Sequence, residues 1–458
     1  MKPLMKGSRR WISGFNVFCK KEREGMPELK RSLGVLGAAS VSIGAIIGAG
    51  IFVLIGVSSG LAGPSVILSF MIAGVVSFLT ALSSAELASF ITESGGSYIY
   101  THKAFGKFWG YLVGWMQSFD YIVGASAVSI GFAAYFTYFL GIQSAQTVIV
   151  IVGSLLPLVL MLVNFMGVKE ASGTNNLLVG LKVTALVLFI IVGGSFLISN
   201  GDYSNYHPFF PTGVAGMLSG AAIIFFAFAG FNTITVIAEE VKNPEKNVPK
   251  AIMLAFALCT LLYIGVSLVS VGLVSWKLLG ASDTPLEAAL KTATDNVFLL
   301  KFISVSALFA TASVVMASIL GGSRALFAMA RQRVIPVMLA RISKNGVPTF
   351  TVMLSGVVIA LIVVVSQANL DWLASIFNFG TLMTYFFINL SVVRLRQKMP
   401  DANRTFRVPF YPVIPVLGVL SCFALAFYLN PNAIVFAAAW IAIGIAAYEY
   451  NKRREAKT

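Results

Sequence analysis

SIGAIIGAGIF, Ser42 to Phe52, places three glycines and two alanines in eleven positions of an otherwise apolar run. A membrane-spanning helix should be most regular at such a point. Glycine lets a backbone leave helical geometry, and Gly48-Ala49-Gly50 leaves amide and carbonyl groups with no bulky side chain over them. In lipid such groups are tolerated only around a protein-lined cavity. A helix broken at mid-membrane offers free N–H groups to a carboxylate and free C=O groups to an ammonium, as in many secondary transporters. The competing reading makes Gly44-x-x-x-Gly48 a small-residue face for close helix packing. This run alone leaves both open.

The surrounding composition sets the class. Of 458 residues, 57% are hydrophobic and 11% charged, against roughly 25% charged in a soluble chain. The expectation is a polytopic membrane protein in contact with lipid. A net charge of +15 would suggest nucleic acid in a soluble protein. Here the basic residues lie between apolar segments as topology signals, so no nucleic-acid partner is expected. Cys19, Cys259 and Cys422 are far apart, without metal-ligand spacing, and His102 and His207 fall outside the apolar runs. No metal site, disulfide framework or membrane enzyme is implied.

Apolar runs long enough to cross about 30 Å of hydrocarbon occur near residues 33–60, 64–90, 108–139, 147–168, 174–199, 213–238, 250–275, 296–329, 349–366, 371–393, 411–429 and 431–450, which makes twelve spans. With the N-terminus inside, nearly all of the 33 Lys and Arg fall in cytoplasmic segments. The outer side keeps Lys277, Lys291 and Lys301, and Lys182 lies within a span. The positive-inside rule therefore puts both termini in the cytoplasm of a multi-pass cell-membrane protein. Residues 1–32, with WISGFNVFC between basic pairs, read as a cytoplasmic segment bearing an interfacial amphipathic helix. In AEEVKNPEKNVPK, Asn243-Pro244 should stop one helix and Pro249 should start the next. The polar segment 277–295 reads equally as an outer lid or as a surface loop.

A second glycine-marked site lies in the sixth span, FFAFAGFN, Phe225 to Asn232. Taken alone, Gly230 could serve packing and Asn232 could bond a neighbouring helix. The site nevertheless falls five spans after the first, as expected if spans 1–5 and 6–10 are inverted repeats around a central site. Lys182 and Asp120 stand about eight and twelve residues into their spans, roughly 12 and 18 Å along the helices. A charge at such depth costs about 2.5–3.5 kcal/mol, so it should face a cavity, pair, or change protonation. The alternatives are snorkelling for Lys182 and a protonated or paired structural role for Asp120.

The runs GAIIGAGIF (residues 44–52), SGGSYIY (Ser94 to Tyr100), NNLLVGLK (Asn175 to Lys182), FFAFAGFN with AEEVKNPEKNVP, and GGSRALFAMARQRVIP (Gly321 to Pro336) resemble the amino acid–polyamine–organocation superfamily, closest to its cationic amino acid transporter branch. The motifs keep the family's order and cover nearly the whole chain. The resemblance implies an all-α, LeuT-like 5+5 inverted repeat with two additional C-terminal helices. It places the transporter core at 33–393, with repeats 33–199 and 213–393, and the additional helices and cytoplasmic tail at 394–458.

Carried over residue by residue, the resemblance implies that Ile46, Ile47, Gly48, Ala49 and Gly50 bind an amino acid's α-amino and α-carboxylate groups through the backbone. Phe226, Ala229 and Asn232 would line the side-chain end, with Asp120 facing it, and Lys182 would occupy the place of a sodium ion in sodium-coupled relatives. That points to a proton-coupled amino acid transporter with the proton as coupling ion, no other cofactor, and a monomeric or weakly oligomeric state. Asn232 stands where the branch typically has an acid and Asp120 where it typically has a longer Glu, so neutral substrates are expected, with cationic ones possible. An amino acid or amine exchanger is the neighbouring reading. A nutrient sensor on a transporter fold is the rival from another class, against which the short termini count.

Overall fold

The computed structural model describes residues 33–455 except 94, 143–144, 166–171, 237, 332–334, 336 and 341–348. The interfacial helix expected in 1–32 lies outside them. Among the described residues the only β-pairing is a single parallel bridge, Leu33 to Val241. The helices run α1 (Val35–Ile46), α2 (Ala49–Phe52), α3 (Leu54–Ala62), α4 (Val66–Ala88), α5 (Ser97–Phe105), α6 (Lys107–Phe139), α7 (Gln146–Phe165), α8 (Ser172–Asn200) and α9 (Gly213–Ile224). A 3₁₀ segment, Phe225–Asn232, follows α9. Beyond it come α10 (Thr233–Val236), α11 (Pro244–Leu273), α12 (Trp276–Ala281), α13 (Pro285–Ala293), α14 (Val297–Arg331), α15 (Thr349–Val365), α16 (Leu370–Lys398), α17 (Val413–Ala426) and α18 (Pro431–Glu455).

Nine helical stretches among the described residues are long and apolar enough to cross a membrane, and Val35–Ile46, Thr349–Val365 and Val413–Ala426 are shorter apolar helices. The chain is an all-helical, multi-pass membrane protein. The first expected span is not one helix. It leaves helical geometry at Gly48 (φ −144°, ψ −146°) and becomes α1, α2 and α3. The sixth is likewise divided into α9, eight residues of 3₁₀ helix and α10. So long a 3₁₀ run is unusual, because its hydrogen-bond geometry is poorer than that of an α-helix.

The reading of Pro249 needs correction. The helix starts at Pro244, behind Asn243 in the left-handed region, and Pro249 lies inside it. Proline removes the N–H that would bond the carbonyl four residues earlier. That carbonyl, on Glu245, is taken instead by the Thr405 hydroxyl from the loop after α16. Helix α11 therefore continues through its proline.

Sequence reading also missed the tie at the basic end of the bundle. Glu86, 1% exposed at the end of α4, takes Arg396 Nε on Oε1 at 2.8 Å and Arg396 Nη2 on Oε2 at 2.6 Å. The Val408 amide also donates to Oε2 at 2.6 Å, and Arg404 Nε lies 3.4 Å from Oε1. Arg396 lies over the Tyr411 ring and Arg404 over Phe90. One carboxylate thus joins α4, α16 and the loop that leads to α17. Glu86→Ala should strand two guanidinium groups and cost about 3–5 kcal/mol. A lowered melting temperature of the purified protein is the expected readout. An unchanged one would reduce the cluster to surface decoration.

Candidate functional site

The two interrupted spans rest on each other. A Cβ on Gly50 would lie 2.4 Å from the Ala227 Cα, and one on Gly230 would lie 2.4 Å from the Ala45 carbonyl carbon and oxygen. Glycine is therefore required at both positions so that the 3₁₀ segment can cross α1 and α2 backbone to backbone. Gly44 packs in the same way on α8, where a Cβ would meet Val179 at 3.0 Å and Asn175 at 3.2 Å. At these three positions the packing reading holds. Gly48 differs, since its Cβ would meet only the Val314 side chain of α14, at 2.9 Å.

A broken helix leaves carbonyls without their usual donors, and in hydrocarbon each needs another. Unbroken helices supply them. Lys182 of α8, 1% exposed, donates to the Gly44 carbonyl at 2.9 Å. Tyr263 of α11 donates to the Ile46 carbonyl at 2.8 Å and reaches that of Ala227 at 3.3 Å. Tyr135 of α6 donates to Phe52 at 2.8 Å, and Tyr385 of α16 to Ala229 at 3.1 Å. Asn378 of α16 donates to the carbonyls of Ala222 and Ile223, at 2.7 and 2.9 Å. The carbonyls of Gly44, Ile46 and Phe52 around the first break are thus engaged by side chains of other helices, and the amides of Gly48, Ala49 and Gly50 lie at the start of α2. Helix geometry gives N–H groups in a first turn no internal acceptor.

Of the expected site residues, Ile46, Ile47, Gly48, Ala49 and Gly50 are all buried at the first break. Phe226, Ala229 and Asn232 are half-buried on the 3₁₀ segment. The Phe226 ring lies 4.3 Å from that of Phe377 on α16. Asp120 of α6, 8% exposed, sits against the same stretch of α16. Its Oδ1 would be 1.9 Å from a Cβ on Gly380, Thr381 hydrogen-bonds the carboxyl, and Oδ1 itself has no hydrogen-bond partner among the described residues. Phe226 and Asp120 are thus brought to one region through residues 377–381 of α16. The Asn232 amide oxygen is already taken by Ser84 of α4 at 2.6 Å. Lys182 does not snorkel, because its ammonium is held at the first break rather than at a surface.

Tyr135, Tyr263, Asn378 and Tyr385 were not singled out from sequence. The available signal was a hydroxyl or amide within an apolar span, which must find a partner. Nothing in the sequence says which carbonyl it meets. An open apolar groove lined by the exposed Ile191, Ile198 and Leu268 and by the buried Val269 is separate from this site.

Residues 37–451 match the family model described as amino acid permease. Among curated relatives, a branched-chain amino acid permease of Bacillus subtilis is 33% identical over 450 residues, covering 94% of this chain and 95% of the relative. A methylthioribose transporter of the same organism is 34% identical over 442 residues, 93% and 94% of the two chains. A vacuolar cationic amino acid transporter of Arabidopsis thaliana is 33% identical over 398 residues, covering 83% of this chain and 66% of the relative.

The crossing geometry separates the glycines experimentally. Gly50→Ala and Gly230→Ala must push backbone from backbone and should each lose about 1–3 kcal/mol of stability. Gly48→Ala displaces one valine side chain and should keep the parent's melting temperature while losing ligand-induced stabilisation. Equal destabilisation by all three would make Gly48 a packing glycine as well.

Proposed function

The chain belongs to the amino acid permease family and is a transporter, not an enzyme, and from that premise we propose that it takes up amino acids by proton-coupled alternating access. The observation that carries this reading is the bond from the buried Lys182 ammonium to the Gly44 carbonyl, four residues before the first break. The proposed architecture has twelve spans, with repeats 33–199 and 213–393 meeting at the two interrupted helices and 394–458 added to them. Both termini lie in the cytoplasm, the side rich in Lys and Arg. The three shorter apolar helices occupy the places of the first, ninth and eleventh spans, which supports that count.

The substrate's α-carboxylate would meet the amides of Gly48, Ala49 and Gly50, and its side chain would extend toward Phe226, Ala229 and Asn232. The Phe226–Phe377 pair gives that end an apolar wall, and Asn232, engaged by Ser84, adds no formal charge to it. Neutral amino acids fit it best. Asp120, across the same stretch of α16, is the group that would receive a cationic side chain.

Protonated Lys182 makes a charge-assisted bond, roughly twice as strong as a neutral one. Transfer of its proton to the cytoplasm weakens the hold on α1 and lets the first broken span move to release substrate. Lys182→Ala should abolish proton-driven accumulation in proteoliposomes, and any residual transport should be independent of pH. Gradient-dependent accumulation by the variant would remove Lys182 from the mechanism, and a sodium requirement in the parent would remove proton coupling. Competition against uptake tests specificity. Neutral amino acids should compete, and inhibition by Lys, Arg or ornithine alone would overturn the inference from Asn232.

A further inference from the structure

Five charged side chains among the described residues are at least nine-tenths buried: Glu86, Asp120, Lys182, Glu287 and Arg404. All but Glu287 already have a place. Glu287, 2% exposed, lies on α13, in the segment that sequence left open between lid and loop. The segment packs on the first interrupted span. Helix α12 crosses α3 so closely that a Cβ on Gly280 would lie 2.7 Å from the Gly60 Cα, and one on Gly56 would lie 2.8 Å from the Leu279 carbonyl.

Helix α13 then reaches the first break through one tyrosine. The Leu286 amide bonds the Tyr135 hydroxyl, which donates to the carbonyl of Phe52, the last residue of α2. The next residue, Glu287, takes the Ser304 hydroxyl of α14 at 2.8 Å and bonds the Tyr138 hydroxyl of α6. This segment, the scaffold helices and the broken span therefore meet around Glu287 and Tyr135.

We propose that the segment is a lid and Glu287 its protonatable latch, so that the lid stays closed over α3 while the carboxyl carries a proton and lifts when it is ionised. The groups facing it are Lys291 on its own helix, Tyr135 and Tyr138 on α6, and Ser304 on α14. Asp283 lies just before α13, and Lys301 of α14 sits over Phe139. Of the other helices, α8 carries Lys182, and α11 carries Glu245, Lys246 and Lys250, all within its first seven residues.

The sign follows from burial. Burial pushes the closed-lid carboxyl above the usual carboxylate range, against the opposing effect of the Tyr138 and Ser304 hydrogen bonds and of Lys291. With the lid open the group meets water and returns to the ordinary carboxylate range. Closure thus takes up a proton from the water on the lid side. Its contribution to holding the lid is complete below the ordinary carboxylate value and is lost as pH rises through the closed-lid value. The inference rests on the transport reading only for which side is external, where acidification would favour occlusion.

The test reads the lid directly and needs no transport. Hydrogen–deuterium exchange of residues 276–293 is followed in the purified full chain from pH 4.5 to 8, for the parent, Glu287→Gln and Asp283→Asn. Comparison at matched pH cancels the intrinsic exchange chemistry. Glu287→Gln, which keeps an uncharged acceptor, should stay protected throughout. The parent and Asp283→Asn should lose protection about tenfold for each unit of pKa difference between closed and open lid. Parent and Glu287→Gln curves that coincide would overturn the proposal, as would a Glu287→Gln lid unprotected at every pH or a flat response in Asp283→Asn.

Discussion

A peptide carbonyl in hydrocarbon must have a donor, and two interrupted helices produce a set of carbonyls that their own chain cannot satisfy. The rest of the bundle is arranged around that deficit. Lys182, Tyr135, Tyr263, Asn378 and Tyr385 each project from an unbroken helix onto a carbonyl of a broken one. The unbroken and the interrupted helices are therefore joined by side-chain hydrogen bonds as well as by apolar packing. Such bonds are directional and exchangeable, so a helix can be held firmly in one position and still find partners in another.

Where the fold was legible in the sequence, a residue type answered to a local demand of the backbone. Gly48 marks the first break, and Gly50 and Gly230 mark the crossing of the two interrupted spans because only glycine lets the backbones pass there. The spans, the charge asymmetry and the depth of Lys182 follow from the cost of polar groups in lipid. Pro249 was misread because its missing N–H is compensated by Thr405, more than 150 residues away in sequence. Local grammar carries no trace of such a partner. The Glu86 cluster was missed for the same reason, since a lone Glu near a span end looks like an interfacial charge until α16 brings Arg396 to it.

The candidate site was legible in its backbone half and less so in its side-chain half. Three small residues in a row announce a bare stretch of chain, and that much holds whatever surrounds it. Asn232 shows the limit. Its identity suggested a neutral pocket, but its amide oxygen turns to Ser84, a residue that sequence offered no reason to pair with it. Asp120 meets Gly380 and Thr381 only because α6 and α16 pack side by side. Gly50 illustrates the converse, a residue assigned to the ligand that is needed first for the crossing of the two interrupted spans.

Tyr263 stands between both breaks with a single hydroxyl hydrogen and two carbonyls within reach, that of Ile46 at 2.8 Å and that of Ala227 at 3.3 Å. One proton cannot serve both fully, so one acceptor is always short. A displacement of the first broken span relative to the second need not break this contact. It redistributes the hydrogen, and what one carbonyl gives up the other gains. The junction between the two interrupted helices thus hangs on one shared hydroxyl, whose hydrogen lies nearer the first break than the second.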